Sequence, residues 1–142
     1  MNIKERERLI EYIFNFMPLL HKKLLMDVHH KKDMYKMRFL SMIKNHNGEP
    51  MKFFGERLLI SKPNLTKLCN KLIHEGFVER KNCDEDRRII NLYITDTGKK
   101  LVNAHKQEIR KEMLKKLESL SDEDIQKLNE NFNDVERIIS KL

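Results

Sequence analysis

Residues 76–98 read GFVERKNCDEDRRIINLYITDTG, and this stretch decides the fold. It holds two short runs with strand character, 77–82 and 89–95. In the second, Ile90, Leu92 and Ile94 alternate with Asn91 and Tyr93, the period of a strand with one apolar face. Between the runs lies CDEDRR, a polar tip. The pattern predicts a two-stranded hairpin with charges at its end. Gly76, just before the first run, is the residue type best able to close a helix in a left-handed cap.

The helix that Gly76 closes is legible upstream. Ser61 reads as an N-cap, and Pro63 is tolerated because a first helical turn has no internal bond to lose. Leu65, Leu68, Cys69, Leu72 and Ile73 then recur at helical spacing, one buried stripe on an amphipathic helix. Residues 51–60, MKFFGERLLI, fit a shorter helix before it. An earlier helix carries Met37, Leu40, Met42 and Ile43 on its apolar side. It stops at Asn47-Gly48, with Pro50 following.

Outside this centre the chain also reads as helical. Residues 4–28 place Leu9, Ile13, Phe16, Met17, Leu20, Leu24 and Val28 at helical spacing. Pro18 predicts a kink or break there, and HHKKD at 29–33 reads as a connector. Downstream, Leu101, His105, Ile109, Met113 and Leu117 recur every four residues. Ser121 with Asp124 forms a capping-box-like start for a last helix. Ile125, Leu128, Phe132, Val135, Ile139 and Leu142 give that helix a seam able to pair with another helix.

The expected class is therefore mainly α with a small β-wing, a winged helix-turn-helix. In the order helix, turn, helix, hairpin, the second helix of the pair can enter a major groove. Its outer face is Lys62, Asn64, Thr66, Lys67, Asn70 and Lys71, with Ser61 at its start and no acid before His74. Lysines and hydroxyls suit phosphate oxygens, and asparagine can bond base edges. An ordinary solvated helix face reads the same way. At the hairpin tip, Arg87 and Arg88 are placed to reach a narrow minor groove. Asp86 is placed to hold one of them in a fixed rotamer. The plainer alternative is a surface ion pair of little energetic weight.

Composition narrows the classes. The chain has 142 residues, 36% of them charged, with a formal net charge of +7. That balance fits a polyanionic partner. No apolar run approaches a membrane span, and the first residues carry charges of both signs where a secretory signal would be apolar. A cytoplasmic protein with no membrane partner is expected. No phosphate-cradling glycine loop, metal-protease helix or nucleophile elbow is present, so no enzyme is expected. The six histidines form no i, i+4 pair with another His or Cys, and neither a metal nor a cofactor is expected. Cys69 falls on an apolar stripe and reads as core. Cys83, beside the tip, reads as exposed, with Lys81 close by and Asp84 and Glu85 opposing any activation.

The stretch from Gly55 to Leu101 resembles the MarR family of bacterial transcriptional regulators, including its SlyA-like members. GFVER, then DEDRR, then LYITDTGKKL carry the resemblance, in order and at the right distances. It implies one domain over 1–142, with a DNA-binding lobe at about 34–98 and dimerising helices at 1–28 and 99–142. It implies that Asp86 orients Arg88 in a minor groove, and that Lys62, Asn64, Thr66, Lys67 and Asn70 lie where recognition contacts occur. It implies a homodimer on a pseudo-palindromic operator, most simply a repressor released by a small-molecule effector. Met17, His21, Tyr35 and Arg38 are the expected liners of an effector cleft. A redox- or metal-responsive regulator of the same fold and a non-specific architectural DNA protein are the alternatives. Two positions depart from the pattern. Leu59 stands where a turn glycine is common, so the turn is expected to differ in detail, and Gly55 replaces a usual alanine.

Overall fold

A computed structural model describes residues 2–26 and 34–142. The connector expected at 29–33, and Val28 at the end of the first apolar pattern, lie outside them. The chain forms two compact units, one from residues 1–28 with 109–142 and the other from residues 29–108.

The second unit holds α2 (Met34–Asn45), α3 (Met51–Leu58), α4 (Lys62–His74), β1 (Val78–Asn82), β2 (Ile90–Ile94) and the first part of α5 (Asp96–Leu117). Its core gathers Leu40, Ile43, Leu58, Leu65, Cys69, Leu72, Leu92 and Ile94, as the apolar patterns require. Phe39, Phe54 and Val102 are also buried, though no single stripe marks them. Phe39 meets Phe54 edge-on with ring centroids 5.7 Å apart, a geometry that aromatic quadrupoles favour. Phe39 lies one residue before Leu40 and four before Ile43, so it widens the apolar side of α2. A helix packed on several neighbours needs that width.

Both ends of α4 are set by local chemistry. Ser61 accepts the Asn64 N–H at its N-terminus. At the other end Gly76 has φ +80°. Its N–H reaches the Ile73 carbonyl at 3.0 Å and the Phe77 N–H reaches Leu72 at 2.9 Å. These are the paired bonds of a Schellman ending.

The turn between α3 and α4 corrects one expectation. Leu59 takes the left-handed conformation itself, φ 54° and ψ 38°. The turn does not change to suit the side chain. Leu59 absorbs the strain, at a cost of about 1–2 kcal/mol, with its side chain 88% exposed. Gly55 has a packing reason: a Cβ there would come within 2.9 Å of Leu65 Cδ2.

β1 and β2 pair antiparallel in the register Val78↔Ile94 to Asn82↔Ile90. Phe77, Ile89 and Thr95 fall just outside the strands that were expected to include them. Leu92 and Ile94 face the core, while Tyr93 on the other face is half-buried. Lys81 Nζ stands 5.0 Å from the centre of its ring. The far edge of β2 is occupied as well. The Gly48 N–H donates to the Leu92 carbonyl at 2.8 Å, and the Leu92 N–H donates to Glu49 at 3.0 Å. Asn47 Oδ1 accepts the Ile94 N–H at 2.8 Å.

The first unit holds α1 (Ile3–Leu20), a π-helical turn (His21–Leu25), the end of α5 and α6 (Asp122–Ile139). Of the kink or break expected near Pro18, no break occurs: α1 runs through Pro18 to Leu20, and a π-helical turn follows from His21. None of α1 is buried, so water can satisfy the Phe14 carbonyl that Pro18 leaves without a helical partner. The α6 start is as read: Ser121 Oγ accepts the Asp124 N–H at 3.1 Å. On its seam Ile125 is half-buried, while Leu128, Phe132, Val135 and Ile139 are 40–53% exposed. Phe132 meets Phe16 with ring centroids 6.4 Å apart.

Candidate nucleic-acid interface

The α4 stripe of Leu65, Cys69 and Leu72 is buried, which turns the opposite face outward. Lys62, Asn64, Thr66, Lys67, Asn70 and Lys71 are all exposed on it, and Ser61 is exposed at its start. Thr66 Oγ1 donates to the Lys62 carbonyl at 3.0 Å, so its hydroxyl offers lone pairs outward rather than a proton. The helix begins without an acidic residue in its first turn. The partial positive charge of its N-terminus therefore adds to that of Lys62 and Lys67.

The hairpin tip is held by its own side chains. Asp86 Oδ1 accepts the Arg88 backbone N–H at 3.0 Å and Arg88 Nε at 3.1 Å, and Oδ2 accepts Arg88 Nη2 at 3.0 Å. The two-oxygen grip fits a planar guanidinium to a carboxylate. The Arg88 hydrogen bonds hold the Asp86 carboxyl below its ordinary pKa, and the same bonds push the Arg88 guanidinium up. The Arg88 side chain is 91% exposed and that of Asp86 only 34%. As an energetic contact the pair is minor; its effect is geometric, because it fixes where a charged and accessible group points. Arg87 is exposed beside it.

The remaining candidates fall as follows. Met17 and His21 lie one turn apart, with the His21 N–H bonded to the Met17 carbonyl. Tyr35 and Arg38 lie three residues apart at the start of α2, both exposed. The first two belong to one unit and the second two to the other. Cys69 is core, and burial pushes its thiol pKa up although the Arg80 charge opposes this. Cys83 is half-buried rather than exposed, its N–H bonded to the Ile89 carbonyl at 2.9 Å. Among the described residues, no group of three His, Cys, Asp or Glu is placed to hold a metal ion.

Two side chains near the interface escaped the sequence reading. Asn82 Nδ2 donates to the Arg87 carbonyl at 2.6 Å; an amide at the end of a strand, next to a polar tip, was the available signal. Lys36 Nζ lies 2.9 Å from Glu75 Oε2, a half-buried pair that ties α2 to the end of α4. Lys36 also stands 4.8 Å from the centre of the Phe77 ring. Nothing in the spacing of residues 36 and 75 announces that contact.

Comparison with known proteins bears on the central stretch. The MarR family model matches residues 33–90, so over that stretch the chain is similar to the MarR family. A Bacillus subtilis relative, the HTH-type transcriptional regulator YfiV, is 29% identical over 106 residues, covering 75% of this chain and 66% of that protein's length. The apo form of MarR from E. coli superposes with a TM-score of 0.68 at 16% identity, over 88% of this chain and 94% of that one. A MepR mutant from S. aureus bound to an oligodeoxyribonucleotide superposes with a TM-score of 0.63 at 19% identity, over 92% and 97% of the two chains. At these identities the structural likeness is one of fold. The MarR family is one of transcription regulators, not enzymes. No helix among the described residues is long and apolar enough to cross a membrane.

Proposed function

We propose that this chain binds duplex DNA in a sequence-specific manner as a homodimer and represses transcription until a small-molecule effector releases it. The observation that carries the reading is the Asp86–Arg88 grip, which presents an exposed guanidinium at the end of a ribbon. The Asp86 bond to the Arg88 backbone N–H is an Asx turn that shapes the tip. The added grip on the guanidinium suits a groove contact, because an arginine fixed before binding has less rotamer freedom to lose. The acid-free outer face of α4 supplies the companion surface, from Ser61 and Lys62 to Lys71. The MepR structure named above contains DNA, which supports carrying the activity over to the shared fold.

The exposed apolar seam of α6 and the exposed apolar residues of α1 support a homodimer built from the chain ends. Residues 34–98 form the DNA-binding lobe in this reading, with 1–28 and 99–142 as the dimerising parts. Effector binding would change the spacing of the two recognition helices, and two half-sites must be met at once. The protein works in the cytoplasm, where its DNA is.

Selection of bound sequences from a random duplex library, followed by footprinting, tests the reading. A pseudo-palindrome with half-site centres about 10 bp apart is expected. Enrichment of no sequence, or protection of a single asymmetric half-site by one protomer, would overturn it.

A further inference from the structure

The tip between β1 and β2 is fastened at several points. At its base, the Cys83 N–H donates to the Ile89 carbonyl at 2.9 Å, and the Ile89 N–H donates to the Asp86 carbonyl at 3.0 Å. Asp86 then holds Arg88 from within the tip. The remaining fastening comes from outside. Asn82, the last residue of β1, reaches across to donate its Nδ2 to the Arg87 carbonyl oxygen at 2.6 Å.

That carbonyl belongs to the peptide group between Arg87 and Arg88. A peptide group is planar, so fixing its oxygen constrains the backbone on both sides and the directions in which both side chains depart. Asp86 holds the same peptide from its other side, through the Arg88 N–H at 3.0 Å, while its remaining bonds go to the Arg88 guanidinium. Asn82 is the side chain that fixes the carbonyl oxygen of that peptide, on the Arg87 side. The chemistry is selective, because the bond needs a donor facing a carbonyl. A carboxylate at position 82 would offer only an acceptor, and a methyl group neither.

We propose that Asn82 is a positioning residue for DNA recognition: its amide holds the peptide between Arg87 and Arg88 and so aims both guanidinium groups. The proposal rests on the DNA-binding reading above, and the experiment separates the two.

Asn82→Ala is made in the full-length parent and in an Arg87→Ala/Arg88→Ala background. Each protein is titrated at low salt with the duplex that the parent selects from a random library, and each is melted. Asn82→Ala is expected to weaken binding by roughly two- to tenfold in the parent, the effect of one lost hydrogen bond, with a thermal midpoint close to the parent's. In the Arg87→Ala/Arg88→Ala background it should cause no further loss, since there is nothing left to aim. Asn82→Asp should weaken binding at least as much as Asn82→Ala. The proposal is overturned if Asn82→Ala binds as tightly as the parent, or if it loses the same factor in both backgrounds. A parent that selects no duplex overturns the DNA-binding reading itself.

Discussion

Gly98 lies against the backbone of Phe77 so closely that a Cβ at position 98 would stand 2.3 Å from the Phe77 carbonyl oxygen. That oxygen already accepts the Thr95 N–H at 3.0 Å, so it is not free to swing aside. The Thr95 hydroxyl donates to the Gly76 carbonyl at 2.7 Å and accepts the Gly98 N–H at 3.0 Å. The start of α5 is thereby tied to the entrance of the wing. Gly98→Ala is expected to lower stability by about 1–3 kcal/mol, even though alanine is the better helix former. A urea midpoint equal to the parent's or above it would contradict this.

That contact shows where sequence reading succeeds and where it stops. The Thr95-Asp96-Thr97-Gly98 run was recognisable as a motif, yet its cause is a close approach to Phe77, and no spacing announces that. Amphipathic stripes gave α4 and the core of the lobe because burial imposes the helical period directly. The same logic missed Phe39 and Val102, which face neighbours outside a single stripe. Caps at Ser61, Gly76 and Ser121 were readable since their chemistry is local. Long-range contacts such as Lys36–Glu75 and Asn47–Ile94 depend on the assembled fold. At the site, the exposed residues of α4 and the Asp86–Arg88 pair were readable as neighbours on a helix face and in a turn. Asn82 was not singled out, because its partner is a backbone atom.

The left-handed conformation of Leu59 makes a substitution that should stabilise the chain. Its side chain is 88% exposed, so little burial is lost on removing it. The strain of a left-handed L-residue is about 1–2 kcal/mol, and the extra chain entropy of glycine takes back about 0.5–1 kcal/mol. Leu59→Gly is expected to raise stability by about 1 kcal/mol or less. A destabilised variant in chemical denaturation would show that the Leu59 side chain makes a favourable contact.

The Asp86 carboxyl sits below its ordinary value of 3.8 because Arg88 bonds to its charged form. A depressed folded pKa means that the group favours the folded wing above its unfolded pKa. This contribution disappears only as pH falls through the depressed value. The Asp86–Arg88 geometry should therefore be constant through neutral and mildly acidic pH. Carboxyl NMR should show Asp86 titrating below 3.8 in the parent and nearer 3.8 in Arg88→Ala. An Asp86 midpoint unmoved by Arg88→Ala would rule out Arg88 as the cause.

Groove contact and phosphate contact separate by sequence and salt. If Arg88 enters a minor groove, Arg88→Ala should cost on the order of 1–3 kcal/mol at sites with narrow A·T-rich flanks, and less elsewhere. Asp86→Ala should reproduce part of that loss, although removing a negative charge ought by itself to strengthen binding. Lys67→Ala should weaken all duplexes about evenly and reduce the salt slope by roughly one. Affinities for a selected and a scrambled duplex across a salt series decide the matter. Tighter binding by Asp86→Ala, with Arg88→Ala unchanged on both duplexes, would refute the wing assignment.

The seam of α6 leaves Leu128, Phe132, Val135 and Ile139 exposed on a chain taken alone. Deleting residues 121–142 should give a monomer or an insoluble protein, as the dimer reading requires. Sedimentation of the truncated chain as a folded dimer would refute the placement of the interface.

The segment 47–50 that lies along β2 bears on how the protein meets copies of itself. An uncovered strand edge is a template for another chain, and stacked edges are a route to fibres. Here the far side of β2 is bonded by Gly48 and Glu49, and Pro50 bridges to Asn91. Glu79, Arg80 and Lys81 along β1 are exposed and carry charges of both signs. The bonded edge on one side and the mixed charges on the other work against the addition of further strands, even where copies of the chain are crowded together.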